Sequence, residues 1–364
     1  MTKMTTMKTL IRALTLALMV AAVCCIAIRA NAAPDEGANL TRAANPMAAG
    51  TPGECSRDCL YAFVDNFFDA MLSRCACNIA LAPGAKYTEN EIAVKLGEGM
   101  WKTFSGRGTY RVYLADPASG EAGYYGDITE DNGLLQGVIV LRMKVKDHRI
   151  TELETITVRE QKRPKGGLGM NTAGVMTPRM LDELDPRGFV SPNASLLEPL
   201  GAAETREQLV GATKEYFDAY SQGKGSVAPF DAQCFRRENG FLATNNPQGP
   251  IVDPAQPAFR IFSQGCAGEL DRGFFSALAK VRDVRPLVVD QKQGLVLVRS
   301  FFDTEGNVDS VAVPGVGNVV VPTEFLRPIT YLAPQLFKIE NGKIREIETL
   351  SWAMPFGMPS GWNH

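Results

Sequence analysis

The sequence predicts an α+β protein in which one unit, a helix followed by a run of antiparallel strands, is used twice behind an N-terminal signal peptide. Three observations predict it: an apolar run close to the start, an internal match that returns at fixed offsets, and a helical period giving way to a strand period in each copy. With 364 residues, 45% hydrophobic and 21% charged, the chain is neither disordered nor collagen-like. Its 38 basic and 40 acidic residues are interspersed, for a net charge of -2, and leave no basic stripe for a phosphate backbone. Nucleic acid is therefore not an expected partner.

Residues 1–32 read as a secretory signal peptide. Lys3, Lys8 and Arg12 precede the apolar run Ala13 to Ile28, and Ala30-Asn31-Ala32 supplies a small-residue cleavage site. The run is 16 residues long, short of the ~20 that cross a bilayer, so a membrane anchor is not expected. Cleavage takes four of the 38 basic residues and none of the 40 acidic ones, leaving a net charge of -6. The expected location is secreted or periplasmic.

Six cysteines then remain in a compartment where disulfides persist. Cys55 pairs most simply with Cys59, and Cys234 with Cys266. A helix over 60–73 keeps Cys75 and Cys77 away from Cys59 and leaves them unassigned. A zinc site from Cys55, Cys59, Cys75 and Cys77 would need ligand spacings other than those present. Asn39 and Asn193 are glycosylation sequons, usable only in a eukaryotic host.

The duplication follows from register. Phe67-Phe68-Asp69-Ala70-Met71 matches Tyr216-Phe217-Asp218-Ala219-Tyr220 at an offset of 149, and Glu89-Asn90 matches Glu238-Asn239 at the same offset. At offset 174, Gly99-Met100-Trp101 pairs with Gly273-Phe274-Phe275, Arg111 with Arg285, Asp116 with Asp290 and Gly120 with Gly294. At offset 194, Lys144 to Ile156 pairs with Lys338 to Leu350. The implied organisation is a flexible lead-in at 33–53, a first unit at 54–160, a linker at 161–204 with a short helix near 179–184, and a second unit at 205–364 with longer loops.

Each unit opens on a helix: Leu60, Val64, Phe67, Phe68 and Met71 share one face, as do Leu209, Ala212, Tyr216, Phe217 and Tyr220. Each closes on a strand pair. Gly137–Val145 and Ile150–Val158 are joined at Asp147-His148, and Gln335–Ile339 and Lys343–Leu350 flank the hairpin turn Asn341-Gly342.

Several stretches together resemble one superfamily. They are Leu-Ala-Pro-x3-Tyr-Thr-Glu-Asn (81–90), a helix ending Gly-Glu-Gly-Met-Trp (97–101), Tyr-Arg-Val-Tyr-x-Ala-Asp-Pro-x2-Gly (110–120), and the closing strands. The whole is similar to the nuclear-transport-factor-2-like superfamily, its SnoaL-like branch most of all, and to secreted bacterial and fungal proteins with two such units. The resemblance implies two tandem cystatin-like cones, each a curved antiparallel sheet wrapped by N-terminal helices, with a small apolar or aromatic molecule in the mouth. It also implies that the two units can pair their sheets as an intramolecular pseudo-dimer, and that any chemistry is cofactor-free acid–base work of lyase, dehydratase or isomerase type.

The chain has two histidines, His148 in a strand turn and His364 at the terminus, so carboxylate, tyrosine and arginine are left to carry such chemistry. In the first unit, the better candidate for catalysis, Tyr87, Glu89, Asn90, Arg111 and Glu154 are the catalytic candidates. Glu89 and Asn90 could equally be turn residues that fix backbone amides. Trp101, Tyr110 and Tyr113 would form an aromatic wall, and Glu238, Asn239 and Arg285 are their partners in substrate binding. Glu152 and Glu154 share a strand face, as do Glu346 and Glu348, but alternation does not say which face lines a pocket. No metal or organic cofactor is expected. The alternative function is non-catalytic binding of an apolar ligand or a partner.

Overall fold

The computed structural model describes residues 55–159, 194–246, 264–321 and 325–362. The expected signal peptide, lead-in, most of the linker with its short helix, and both sequons lie outside them.

Helix α1 (Arg57–Leu72) starts where the Ser56 side chain accepts a hydrogen bond from Cys59 N, and it buries Leu60, Phe63, Val64, Phe67, Phe68 and Met71. Strands β1 (Leu81–Glu89), β2 (Ile92–Ala93), β3 (Phe104–Asp116), β4 (Glu121–Glu130), β5 (Leu135–Lys146) and β6 (Arg149–Arg159) follow. Their order in the sheet is β2-β1-β6-β5-β4-β3. Helix α2 (Arg206–Gln222) opens the second copy with a capping box between Thr205 and Gln208 and stops at Gly223 in the left-handed conformation.

After it come β7 (Phe230–Glu238), β8 (Phe241–Leu242), the short helices α3 (Cys266–Asp271) and α4 (Phe274–Leu278), β9 (Lys280–Asp290) and β10 (Leu295–Thr304). A hairpin of β11 (Ser310–Val313) and β12 (Gly317–Val320) is inserted before β13 (Ile329–Glu340), β14 (Lys343–Thr349) and β15 (Trp352–Met354). The second sheet runs β8-β7-β14-β13-β10-β9, with β15 also on β13. The three sequence offsets superimpose β1–β6 on β7–β10, β13 and β14, so the insertions fall between β8 and α4, in the stretch that carries α3, and at the β11–β12 hairpin.

Two expectations are corrected. The sheets are mixed, because β1 runs parallel to β6 and β7 parallel to β14. Hairpins force antiparallel pairing only between consecutive strands, and the first strand meets the last with no such constraint. The helix expected to end at Trp101 is only a 3-10 turn, Gly99–Lys102, in the first copy, where Gly97 and Gly99 both hold positive φ.

Each sheet is covered on both faces. In the first, Tyr124, Ile139, Leu141, Met143 and Leu153 pack on α1. The opposite face carries Tyr110, Val112, Leu114, Val138, Val140, Ile156 and Val158, which share one core with Leu287, Leu295, Leu297, Phe301, Leu332 and Leu336 of the second sheet. Across this junction the contacts are reciprocal. Arg57, the first residue of α1, binds Asp290 at the end of β9, at 2.5 and 2.7 Å. Arg206, the first residue of α2, binds Asp116 at the end of β3. Arg57 and Arg206 are equivalent by offset 149, and Asp116 and Asp290 by offset 174, so one contact is made twice about a pseudo-two-fold. The chain then returns to the first unit, where Trp362 Nε1 donates to Thr88 Oγ1 (2.9 Å) and Gly361 N to Glu91 (2.8 Å).

Disulfides join Cys55 to Cys59, Cys75 to Cys77 and Cys234 to Cys266. Cys55, Cys59 and His148 cluster within ligand distance of one another, but both thiols are spent in the disulfide.

Candidate functional site

The candidate residues of the first unit do not converge. Tyr87 and Glu89 lie on the helix-facing side of β1. Burial pushes the Tyr87 hydroxyl far above its ordinary pKa, and its oxygen is 3.5 Å from Thr155 Oγ1. Glu89 accepts from Met100 N (2.8 Å) and from Arg159 (2.8 Å), so it fixes the 3-10 turn and is engaged on both oxygens. Asn90, at φ 48°, accepts from Thr157 N (2.7 Å) and donates to Thr157 O (3.1 Å), extending the β1–β6 ladder with its side chain. Its equivalent Asn239 does the same with Ser351.

Arg111 is exposed and bonds the carbonyls of Gly108 and Arg107. Trp101 is buried edge-on to Phe67, with ring centroids 5.6 Å apart. Tyr113 donates to Asp65 (2.7 Å), and its hydroxyl is pushed up to about 12 by burial and by that carboxylate.

Three more candidates, Glu154, Arg285 and Tyr110, belong to the junction between the two sheets. Glu154 is buried against Arg285 of the second unit at 2.5 Å, with Arg142 at 3.9 Å, and burial raises its carboxyl above the usual range. Its counterpart Glu348 accepts from Tyr110 of the first unit at 2.9 Å. The ring of Trp362 lies beside Arg142 (5.6 Å) and Arg285 (5.4 Å). Glu89, Arg111 and Glu154 are therefore not brought together: Glu89 and Glu154 stand on opposite faces of the sheet, and Arg111 is exposed.

A cavity of about 100 Å³ lies between helix and sheet in the second unit. Tyr216, Tyr220, Phe275, Phe302, Phe325 and Tyr331 form its aromatic walls; Arg236, Glu238, Glu269, Gln335 and Thr349 are polar. Tyr220 donates to Phe275 O (3.0 Å), tying helix α2 to α4. The inserted hairpin packs Val311, Val313 and Val319 against Phe274 and Leu278, with Phe275 and Phe325 in the same cluster. The Cys234–Cys266 disulfide anchors α3, which carries Glu269 to Arg236.

Arg236 binds Glu269 through Nε (3.0 Å) and Nη2 (2.5 Å) and Glu238 through Nη1 (3.1 Å). Burial opposes the charge on Arg236, but Glu269 outweighs it and its pKa rises. Burial also pushes the Tyr216 hydroxyl up to about 12, so it stays neutral. Gln335 Oε1 and Thr349 Oγ1 are buried with no hydrogen-bond partner among the described residues.

Of the candidate site residues read from the sequence, Glu238 alone lines this cavity; Tyr216, Tyr220 and Phe275 read as parts of the repeat and not as a site. Those missed had a signal available in the offsets. Where the first unit has Phe67, Met71, Tyr87, Ile139 and Leu141, the second has Tyr216, Tyr220, Arg236, Ala333 and Gln335. The strand registers agree, since Leu141 faces Thr155 just as Gln335 faces Thr349.

Fold and site together define a tandem α+β protein whose second unit, among the described residues, holds a cavity where the first places buried apolar side chains. Residues 202–351, the second unit, match the sequence model of a domain of unknown function (DUF8021). No curated protein matches the chain. Among solved structures it is similar to a polyketide-cyclase candidate from Silicibacter sp. TM1040, at 11% identity over 40% of this chain and 90% of that one, TM-score 0.26. It is also similar to a protein of unknown function with a cystatin-like fold from Methylobium petroleophilum PM1, at 9% identity, 44% and 85% coverage, TM-score 0.27. A de novo designed protein with a curved β-sheet matches at 13% identity, 41% and 88% coverage, TM-score 0.22.

Proposed function

We propose that this is a secreted ligand-binding protein whose second unit takes a small, flat, largely apolar molecule, while the first unit serves as its folded partner. The exchange of residues between two copies of one fold carries this reading. The first copy satisfies the fold with an apolar filling, so Tyr216, Tyr220, Arg236 and Gln335 are not there because the fold needs them. Ala333 in place of Ile139 frees the volume. An apolar-walled hollow with a few convergent polar groups is the usual form of a small-molecule site. Secretion is supported by the leader sequence and the three disulfides.

The test is calorimetry with a panel of monocyclic aromatic compounds on the wild-type protein and on the triple variant Tyr216→Phe, Ala333→Ile, Gln335→Leu, which carries the first unit's residues. Binding to the wild type and its loss in a variant that still unfolds cooperatively is the expected result. Equal binding by both, or none by the wild type, rejects the reading.

A second reading, acid–base chemistry of lyase, dehydratase or isomerase type, is favoured by Glu238, which lines the cavity 3.1 Å from Arg236 and keeps solvent access. It predicts product masses from the wild type and none from Glu238→Gln.

A further inference from the structure

Resting on the ligand-binding reading, we infer that the occupant of the second unit's cavity is a neutral single-ring arene with two hydroxyl groups on one edge, and that the site rejects carboxylates. Three observations converge. Gln335 is 2% exposed and Thr349 4%, and the two residues face each other across β13 and β14. Gln335 Oε1 can only accept, so the ligand must donate to it; Thr349 Oγ1 can donate or accept. Directly opposed residues stand about 5 Å apart at Cβ, so the two ligand groups lie on one side of a ring.

The charge balance excludes an anion. Arg236 is the lining cation, and its Nε, Nη1 and Nη2 are already directed at Glu269 and Glu238. Two acidic groups thus face one basic group, and a ligand carboxylate would enter without a counter-ion. Size sets the ring count. A dry cavity of roughly 150 Å³ accommodates benzene, so about 100 Å³ leaves room for no more than one ring.

The experiment titrates the full-length protein with catechol, toluene and 2,3-dihydroxybenzoate by calorimetry, and repeats it with Gln335→Leu and Thr349→Val. Catechol should bind at least about tenfold more tightly than toluene or the benzoate. Gln335→Leu, the first unit's residue at this place, should abolish the preference over toluene while leaving toluene bound; Thr349→Val should reduce it. Equal affinities for catechol and toluene, or a benzoate bound as well as catechol, would overturn the inference and leave the binding reading standing. If no compound binds the wild type, both fall.

Discussion

Replacing Asp290 with alanine tests the reciprocal junction most directly. The carboxylate is fully buried and accepts four hydrogen bonds: two from Arg57, one from Ala115 N at 2.9 Å and one from Gln293 N at 3.1 Å. Its loss orphans the buried Ala115 amide, at about 1–3 kcal/mol, and strips a paired guanidinium. Breaking a buried pair costs about 3–5 kcal/mol, but Arg57 is 19% exposed and recovers some water, which places Asp290→Ala near 3 kcal/mol. Arg57→Ala should cost less, because two backbone donors stay on Asp290. Arg206→Ala should cost least, its side chain being 39% exposed. Urea unfolding followed by tryptophan fluorescence reads these as midpoint shifts at constant slope. A loss below about 1 kcal/mol for Asp290→Ala, or equal losses for Arg57→Ala and Arg206→Ala, would refute the reasoning.

Three further outcomes are expected. Burial, with Glu346 beside it, pushes the Glu348 carboxyl well above the usual carboxylate range. The folded protein therefore holds a proton there that the unfolded chain releases. Its contribution is complete below about pH 4.5 and is lost as pH rises toward the folded-state value, so Glu348→Gln should flatten the fall in urea midpoint that sets in as pH rises above about 4.5. Asn90→Ala and Asn239→Ala should each cost about 2 kcal/mol in the same assay, since each removes two strand-extending hydrogen bonds at a positive-φ position, and glycine there should restore the backbone part. Serine at both Cys234 and Cys266, 32 residues apart, should lower stability by about 3–4 kcal/mol and weaken calorimetric binding, because α3 then no longer fixes Glu269.

Most of the fold was legible because it is local and repeated. The helix face of Leu60 to Met71 and the Asn341-Gly342 turn need no distant information, and the offsets gave the pairing of copies. What escaped were choices made between distant residues. Glu152 and Glu154 alternate cleanly with Leu153, but both faces of β6 are buried, one on α1 and one on the second sheet, so alternation carries no label for the two sides. Glu89 reads either as an acid or base or as a turn residue fixing backbone amides, and the choice stays open in the sequence because its partners, the Met100 amide and Arg159, are 11 and 70 residues away. The cavity carries no motif: it arises from missing volume, Ala333 for Ile139, which shows only when the two copies are compared position by position.

The twice-made arginine–aspartate contact bears on how such a protein can change. In a symmetric homodimer every substitution is expressed in both copies at once, so a residue that suits a ligand must also be tolerated by the packed partner. Covalent duplication lifts that coupling. Here the two copies have diverged at the junction, where Glu154 meets an arginine and Glu348 a tyrosine, and in the interior, where the second unit has a cavity in place of buried apolar side chains of the first. One half can keep the assembly stable while the other is free to vary its lining.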